Sequence, residues 1–189
     1  MKVTTMATND RWRIACHEAG HCIAALELGG TCNGAVLTAA GGQAFVDGLY
    51  ADRQAFMVAA GPAAESIADR HEPPANDSVV SPAELASASL QDVDRDLATA
   101  CSFADLESLP RSAVSDSHKL ALWSITGRED EPETWAGRVA FAKRVAAEIV
   151  NKNARAIVEV AKSLYVAGRL TGEEIKSLLR SQSNVGNDE

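Results

Sequence analysis

The sequence predicts one mainly helical domain that carries a small β hairpin or edge strand. Hydrophobic residues make up 46% of the 189 residues, enough for a single core, whereas aromatic residues make up only 5% and alanine is abundant. This composition favours closely packed helices over a sheet sandwich. Most segments repeat their apolar residues at helical spacing, and only one stretch has the pattern of short strands. The domain is expected to cover residues 1–180, with a disordered tail over 181–189.

The first helix is predicted to begin at Asn9 or Asp10 and to end before Gly29. Capping residues precede its apolar pattern, and glycines follow it. Two short strands are expected within residues 35–46, because two β-forming runs flank the glycine pair at positions 41–42.

The next helical pattern covers residues 52–70, and Pro62 inside it is expected to kink the helix or to begin a new one. A proline-rich loop follows. Three further helices are predicted over residues 82–90, 91–103 and 113–125. A long helix is predicted over 135–167 and ends at Gly168. A last helix begins at a Thr171/Glu174 capping box and runs through Leu179.

The most informative motif is H-E-A-G-H, which lies in the middle of the first predicted helix. At about 100° per residue, His17 and His21 are only about 40° apart, so both imidazoles project from one face. Gly20 between them costs about 1 kcal/mol of helix stability relative to alanine. A close neighbour beside His21 is the expected reason for that glycine.

This pattern indicates metal-assisted hydrolysis with one Zn²⁺ per chain. Imidazole nitrogens are good zinc donors, and a catalytic zinc has three protein ligands and one open position. Glu18 lies about 80° around the helix from the histidines, where its carboxylate is free to accept a proton from water. The alternative interpretation is a chance match. In chains with only four histidines, we expect this spacing to arise by chance in about one chain in a hundred or fewer.

The third metal ligand is left open by the residues alone. Downstream carboxylates are the natural source, because the other two histidines lie in a proline-rich loop and an ordinary helix. Cys16 and Cys22 point about 120° away from the histidine pair and are expected to be reduced, buried thiols. The candidates are Glu65, Asp92, Asp94 and Asp96.

Charge and motifs also restrict the partners. The net charge of −8 argues against nucleic acid or an anionic membrane as the main partner. No secretory leader and no run of about 18 apolar residues is visible, so a soluble, cytoplasmic protein without a membrane segment is expected. No phosphate-binding loop occurs, which predicts activity that does not require ATP within this chain.

The chain resembles the peptidase domain of the FtsH-type zinc metalloproteases. The resemblance rests on H-E-A-G-H, on G-P-A-A-E at 61–65, on Q-D-V-D-R at 91–95 and on A-G-R-L-T-G-E-E-I at 167–175, in the family's order. It implies an FtsH-like peptidase fold and a zinc metalloendopeptidase that cleaves peptides or unfolded protein segments. It also implies self-assembly into rings, although a monomer or dimer is equally admissible. The family couples its peptidase to an ATPase module that this chain lacks, so the chain is expected to act on unstructured segments alone or beside a separate ATPase or unfoldase.

For the site, the resemblance implies that Asp92 joins His17 and His21 as the third ligand, with Glu18 as catalytic base. The helical wheel alone places Asp96 closer to the apolar stripe, so Asp96 and Glu65 are candidates to orient a ligating imidazole. Substrate-binding residues are not identified, although the edge strand over 37–46 offers β-addition to an extended peptide. The rival interpretations are an inactive peptidase-like binding or scaffold protein and a zinc hydrolase of a non-peptide bond.

Overall fold

The structure, a computed structural model, describes residues 8–38, 41–50, 52–74, 116, 119–120 and 132–185. Over these residues the chain is mainly helical with a small antiparallel sheet, which confirms the predicted class. The elements in chain order are α1 (Thr8–Glu27), β1 (Thr31–Thr38), β2 (Gly41–Asp47), α2 (Asp52–Ala68), α3 (Pro132–Lys152), α4 (Ala154–Ala167), β3 (Arg169–Thr171) and α5 (Gly172–Val185).

Helix α1 is the central element of the fold. Residues 15–25 are buried with the single exception of His17, because α2, α4 and the sheet all pack against this helix. A helix that is surrounded in this way is apolar on most of its faces. The H-E-A-G-H motif therefore lies inside the molecule, where water has limited access.

Helices α1 and α2 cross at very small residues. A Cβ atom added at Gly20 would lie 2.5 Å from the Ala64 Cβ and 2.8 Å from the Ala60 carbonyl oxygen. The backbones approach this closely only because position 20 has no side chain. This contact confirms the packing reason expected for Gly20.

We expect Gly20→Ala to lower the free energy of unfolding by about 1–3 kcal/mol, because overpacking of the crossing exceeds the gain in helix propensity of about 1 kcal/mol. Urea denaturation measures the change. Gly137→Ala is the matched control, since a Cβ there meets nothing within 4 Å, and it should be neutral or stabilising. Equal effects of the two substitutions would contradict the crossing as the reason for Gly20.

The sheet has the order β2-β1-β3, and both pairs are antiparallel. Strand β1 pairs Ala35 with Ala44 of β2 and with Leu170 of β3. The hairpin is as predicted, but Gly41 and Gly42 belong to β2 and not to the turn. Strand β3 is not predicted, because three residues are too short to show a strand period.

The helical boundaries differ from the sequence-based expectation in three places. Helix α2 continues through Pro62 as one element, so no new helix begins there, because its flanking residues are held by burial against the core. The long stretch over 135–167 is two helices, because the backbone of Asn153 departs from helical angles, with φ −107° and ψ 17°, while its side chain donates a hydrogen bond of 2.9 Å to the Ile149 carbonyl. Helix α5 runs to Val185, so residues 181–185 of the predicted tail are helical.

The predicted end of α4 and start of α5 are confirmed. Gly168 has a left-handed φ of 73°, and its N–H donates to the Leu164 carbonyl at 2.8 Å. The Thr171 N–H donates to Glu174 Oε2 at 2.7 Å, and the Glu174 N–H donates to Thr171 Oγ1 at 3.3 Å, as in a capping box.

Three further predicted helices lie wholly or partly outside the described residues. The helices predicted over 82–90 and 91–103 lie outside the described residues, and of the helix predicted over 113–125 the structure describes Asp116, Lys119 and Leu120, which are helical. Among the helices that the structure describes, none is long and apolar enough to cross a bilayer.

Candidate metal centre

The two imidazoles of the motif face each other across one turn of α1. Their Nε2 atoms are 3.1 Å apart, and the rings meet edge to face, with centroids 4.7 Å apart and planes at 81°. His21 is buried, and His17 is partly exposed. The helix repeat thus places the two imidazoles side by side, as their spacing in the sequence predicts.

The other ring nitrogen of each histidine is held by an acceptor from α2. His17 Nδ1 lies 2.9 Å from Glu65 Oε1, and His21 Nδ1 lies 2.9 Å from the Met57 carbonyl oxygen. With Nδ1 donating to these oxygens, both Nε2 atoms present a lone pair to the same point, as ligating histidines require. The structure places Glu65 where a residue that orients an imidazole belongs.

A third donor comes from Asp116. Its Oδ2 lies 2.9 Å from His17 Nε2 and 3.1 Å from His21 Nε2. A tetrahedral zinc with bonds of about 2.0–2.1 Å has ligand atoms roughly 3.3 Å apart, close to these separations. The donor set of two imidazoles and one carboxylate fits zinc, and it is the one such group among the described residues.

The sequence does not single out Asp116. The predicted ligand Asp92 and the neighbouring Asp94 and Asp96 lie outside the described residues, so their assignment stays a prediction. Asp116 lies 99 positions from His17 along the chain, in a segment without a recognisable motif. Only its acidic side chain in a predicted helix could have made it a candidate.

Charge at the centre favours a cation between the donor atoms. Burial lowers the pKa of His17, but Asp116, Glu18 and Glu65 outweigh this effect and raise it to about 9. Burial raises the pKa of Asp116, but hydrogen bonds from His17 and His21 outweigh it and hold that pKa well below its usual range. A divalent ion satisfies the same carboxylates in place of a proton.

Lys119 holds the remaining oxygen of Asp116. Its ammonium donates to Oδ1 at 3.0 Å, and the side chain of Asp116 is only 12% exposed. Oδ2 is therefore left for the histidine side. Hydrogen bonds of this kind orient ligating carboxylates in metal sites.

Glu18 is buried beside the histidines and has no hydrogen bond to its carboxylate from the part of the chain that the structure describes. Strand β2 passes directly over it: a Cβ atom added at Gly42 would lie 2.8 Å from Glu18 Oε1. Burial raises the pKa of Glu18, while His21 and His17 oppose this shift. A buried, uncommitted carboxylate with a raised pKa has the properties of a general base.

Gly61 gives the imidazoles their space. A Cβ added there would overlap His21 Nε2, and it would lie 2.5 Å from His21 Cε1 and 2.7 Å from His17 Nε2. No side chain fits between α2 and these donor atoms. The glycine is therefore part of the metal centre, although it supplies no ligand.

We expect Gly61→Ala to weaken zinc binding by about 10–100-fold, the effect typical of residues that orient metal ligands. The added methyl group displaces both imidazoles from their common point. Competition with a chromophoric chelator measures the affinity. Gly137→Ala is the control because its Cβ has open space, and it should bind zinc as the parent protein does. Unchanged affinity in Gly61→Ala would contradict this assignment.

Comparison with known proteins does not assign this chain. No protein-family model matches it, and no curated protein is similar to it. The resemblance to the FtsH-type peptidases therefore rests on the motifs in the sequence, and the function must be argued from the site.

Proposed function

We propose that this protein is a zinc-dependent peptidase that cleaves peptides or unfolded protein segments. The observation that carries the proposal is the group of three donor atoms, His17 Nε2, His21 Nε2 and Asp116 Oδ2, all within 3.1 Å of one another. Beside them lies the buried carboxylate of Glu18, which accepts no hydrogen bond from the described residues. Two imidazoles, one carboxylate and a separate base are what metal-assisted hydrolysis requires.

His17, His21 and Asp116 would hold the metal, and Glu65, Lys119 and the Met57 carbonyl would keep their donor atoms in place. Bound zinc would supply Lewis acidity toward a carbonyl oxygen and acidify water. Glu18 accepts the proton of the attacking water and then donates it to the leaving amine. Burial, which raises the pKa of its carboxyl group, also keeps competing water away from the base.

Strand β2 supports a peptide as the substrate. Among the described strands it pairs with β1 alone, so its other edge can accept hydrogen bonds from an extended backbone. Gly42 of this strand touches Glu18, which brings an edge-bound backbone next to the base. An unfolded segment can adopt that extended conformation, whereas a folded surface cannot.

The test is metal-dependent proteolysis by the purified protein. We expect one zinc ion per chain, cleavage of casein without ATP, and a loss of activity in 1,10-phenanthroline of at least about 100-fold that added zinc reverses. Cleavage that persists in the chelator would reject the proposal. If the protein binds one zinc per chain but cleaves no casein, peptide, ester or simple amide, a binding protein that keeps the metal is favoured. If it cleaves only esters or simple amides, a non-peptide hydrolase is favoured.

A further inference from the structure

A cleft of about 310 Å³ opens directly beside the metal centre, between α2 and α3. We call it the α2–α3 pocket. Val58, Ala59, Pro62 and Ala63 of α2, together with Leu120, form its apolar wall. Its volume is at the lower end of the range for small-ligand sites, roughly 300–1,000 Å³, which suits a single large side chain better than a cofactor.

The described residues that line the pocket include two charged ones, which differ in how they are paired. Asp116 is engaged through both oxygens, with His17 and His21 on one and Lys119 on the other. Lys143 of α3 is exposed, and no acidic group of the described residues lies within ion-pair distance of it. Among the described lining residues, Lys143 is therefore the one charged side chain without an ion-pair partner, in a protein whose net charge is −8.

The pocket and the metal centre share Asp116, which lines the first and supplies a donor atom to the second. A peptide whose scissile carbonyl lies at the metal centre can therefore place a neighbouring side chain in this pocket. Apolar walls favour an aliphatic or aromatic side chain by the area that it removes from water. A basic side chain would meet Lys143, while the charge of Asp116 is already neutralised by its partners.

We propose that the α2–α3 pocket is the specificity subsite of the peptidase, and that it selects an apolar side chain with a carboxylate close by in the peptide, which Lys143 binds. This inference rests on the proposed function and adds the class of substrate. The carboxylate comes from an acidic side chain or from the free C-terminus of the peptide. Both present the same anionic oxygens to the ammonium group.

The test uses internally quenched peptides that differ at one position. One series varies the pocket residue among leucine, glycine and lysine, a second varies its neighbour among glutamate, glutamine and lysine, and a third compares a C-terminal acid with its amide. For the wild-type protein, kcat/KM should be about tenfold higher for the peptide with leucine at the pocket position than for those with glycine or lysine. A nearby carboxylate should raise kcat/KM further. A preference confined to the second series assigns the carboxylate to a side chain, and one confined to the third assigns it to the C-terminus.

Two variants locate that preference in the pocket. Lys143→Glu should reverse the order of kcat/KM for peptides with a glutamate or a lysine neighbour, or abolish the preference for a C-terminal acid over its amide. Arg155→Glu on α4 is the control, because Arg155 is also exposed. Ala63→Leu fills the pocket and should lower kcat/KM for the leucine peptide by about tenfold relative to the glycine peptide. Ala140→Leu on the exposed face of α3 is the control for this substitution.

Binding gives a readout that does not need turnover. In the Glu18→Gln background, fluorescence anisotropy should show the same order of affinities, and Lys143→Glu should weaken binding of the carboxylate peptide by about tenfold. Casein cleavage by the wild type with no peptide preference, or with a preference that both pocket variants retain, would overturn the subsite while the peptidase assignment stands. A wild type that cleaves neither casein nor any peptide would overturn both.

Discussion

Glu18→Gln is expected to lower the rate of peptide hydrolysis by about 10²–10⁴-fold, the usual contribution of a general base. Glutamine has nearly the same shape as glutamate, so the packing between α1 and β2 is preserved. It cannot accept the proton of the attacking water. Zinc content should remain one ion per chain, because the Glu18 side chain is not among the three donors that meet at one point.

Cleavage of a quenched peptide and zinc analysis of the same sample measure the two effects together. Glu148→Gln in α3 is the matched control, because that glutamate is exposed and remote from the motif in sequence, and its activity should equal that of the wild type. Full activity in Glu18→Gln would reject the base assignment. Loss of zinc together with activity would instead make Glu18 a ligand.

Asp116→Ala is expected to have the largest effect on metal affinity, with zinc binding reduced by more than about 100-fold. The substitution removes one of three donors and also removes the carboxylate that pairs with Lys119. Asp116→Asn is the conservative companion, because it keeps the volume of the side chain but weakens the donor. Chelator competition measures affinity, and anomalous scattering at the zinc edge identifies the ligating carboxylate.

Asp92→Ala and Asp96→Ala decide between this assignment and the one that the FtsH-type resemblance implies. If Asp116 is the ligand, both variants should keep zinc affinity within about threefold of the wild type, as expected for substitutions away from the metal. If Asp92→Ala loses zinc while Asp116→Ala keeps it, the ligand inferred from the structure is wrong. Circular dichroism of each variant shows whether it is folded.

The local part of the site follows from the sequence because it depends only on the helix repeat. A separation of four residues places His17 and His21 on one face of any α-helix, and the adjacent Glu18 follows at a known angle. Gly20 signals a close contact because a glycine in a helix has an energetic cost that packing must offset. Each of these inferences uses residues within about one helical turn.

Helix ends are predictable for a similar reason. Gly168 and the Thr171/Glu174 pair act through hydrogen bonds between near neighbours, so their roles are visible in the sequence. The break at Asn153 is less visible, because an apolar stripe continues across it and the competing side-chain hydrogen bond is only one of the options open to an asparagine.

What the sequence by itself determined is the pairing of the imidazoles, the position of Glu18 beside them and the mainly helical class with a hairpin. Only the tertiary structure shows that Asp116 lies within reach of both imidazoles, that Gly61 makes room for the rings and that Gly42 covers Glu18. The physical reason is distance along the chain. Contacts within a helical turn are set by backbone geometry, whereas contacts between remote segments depend on how the helices and the sheet pack around α1.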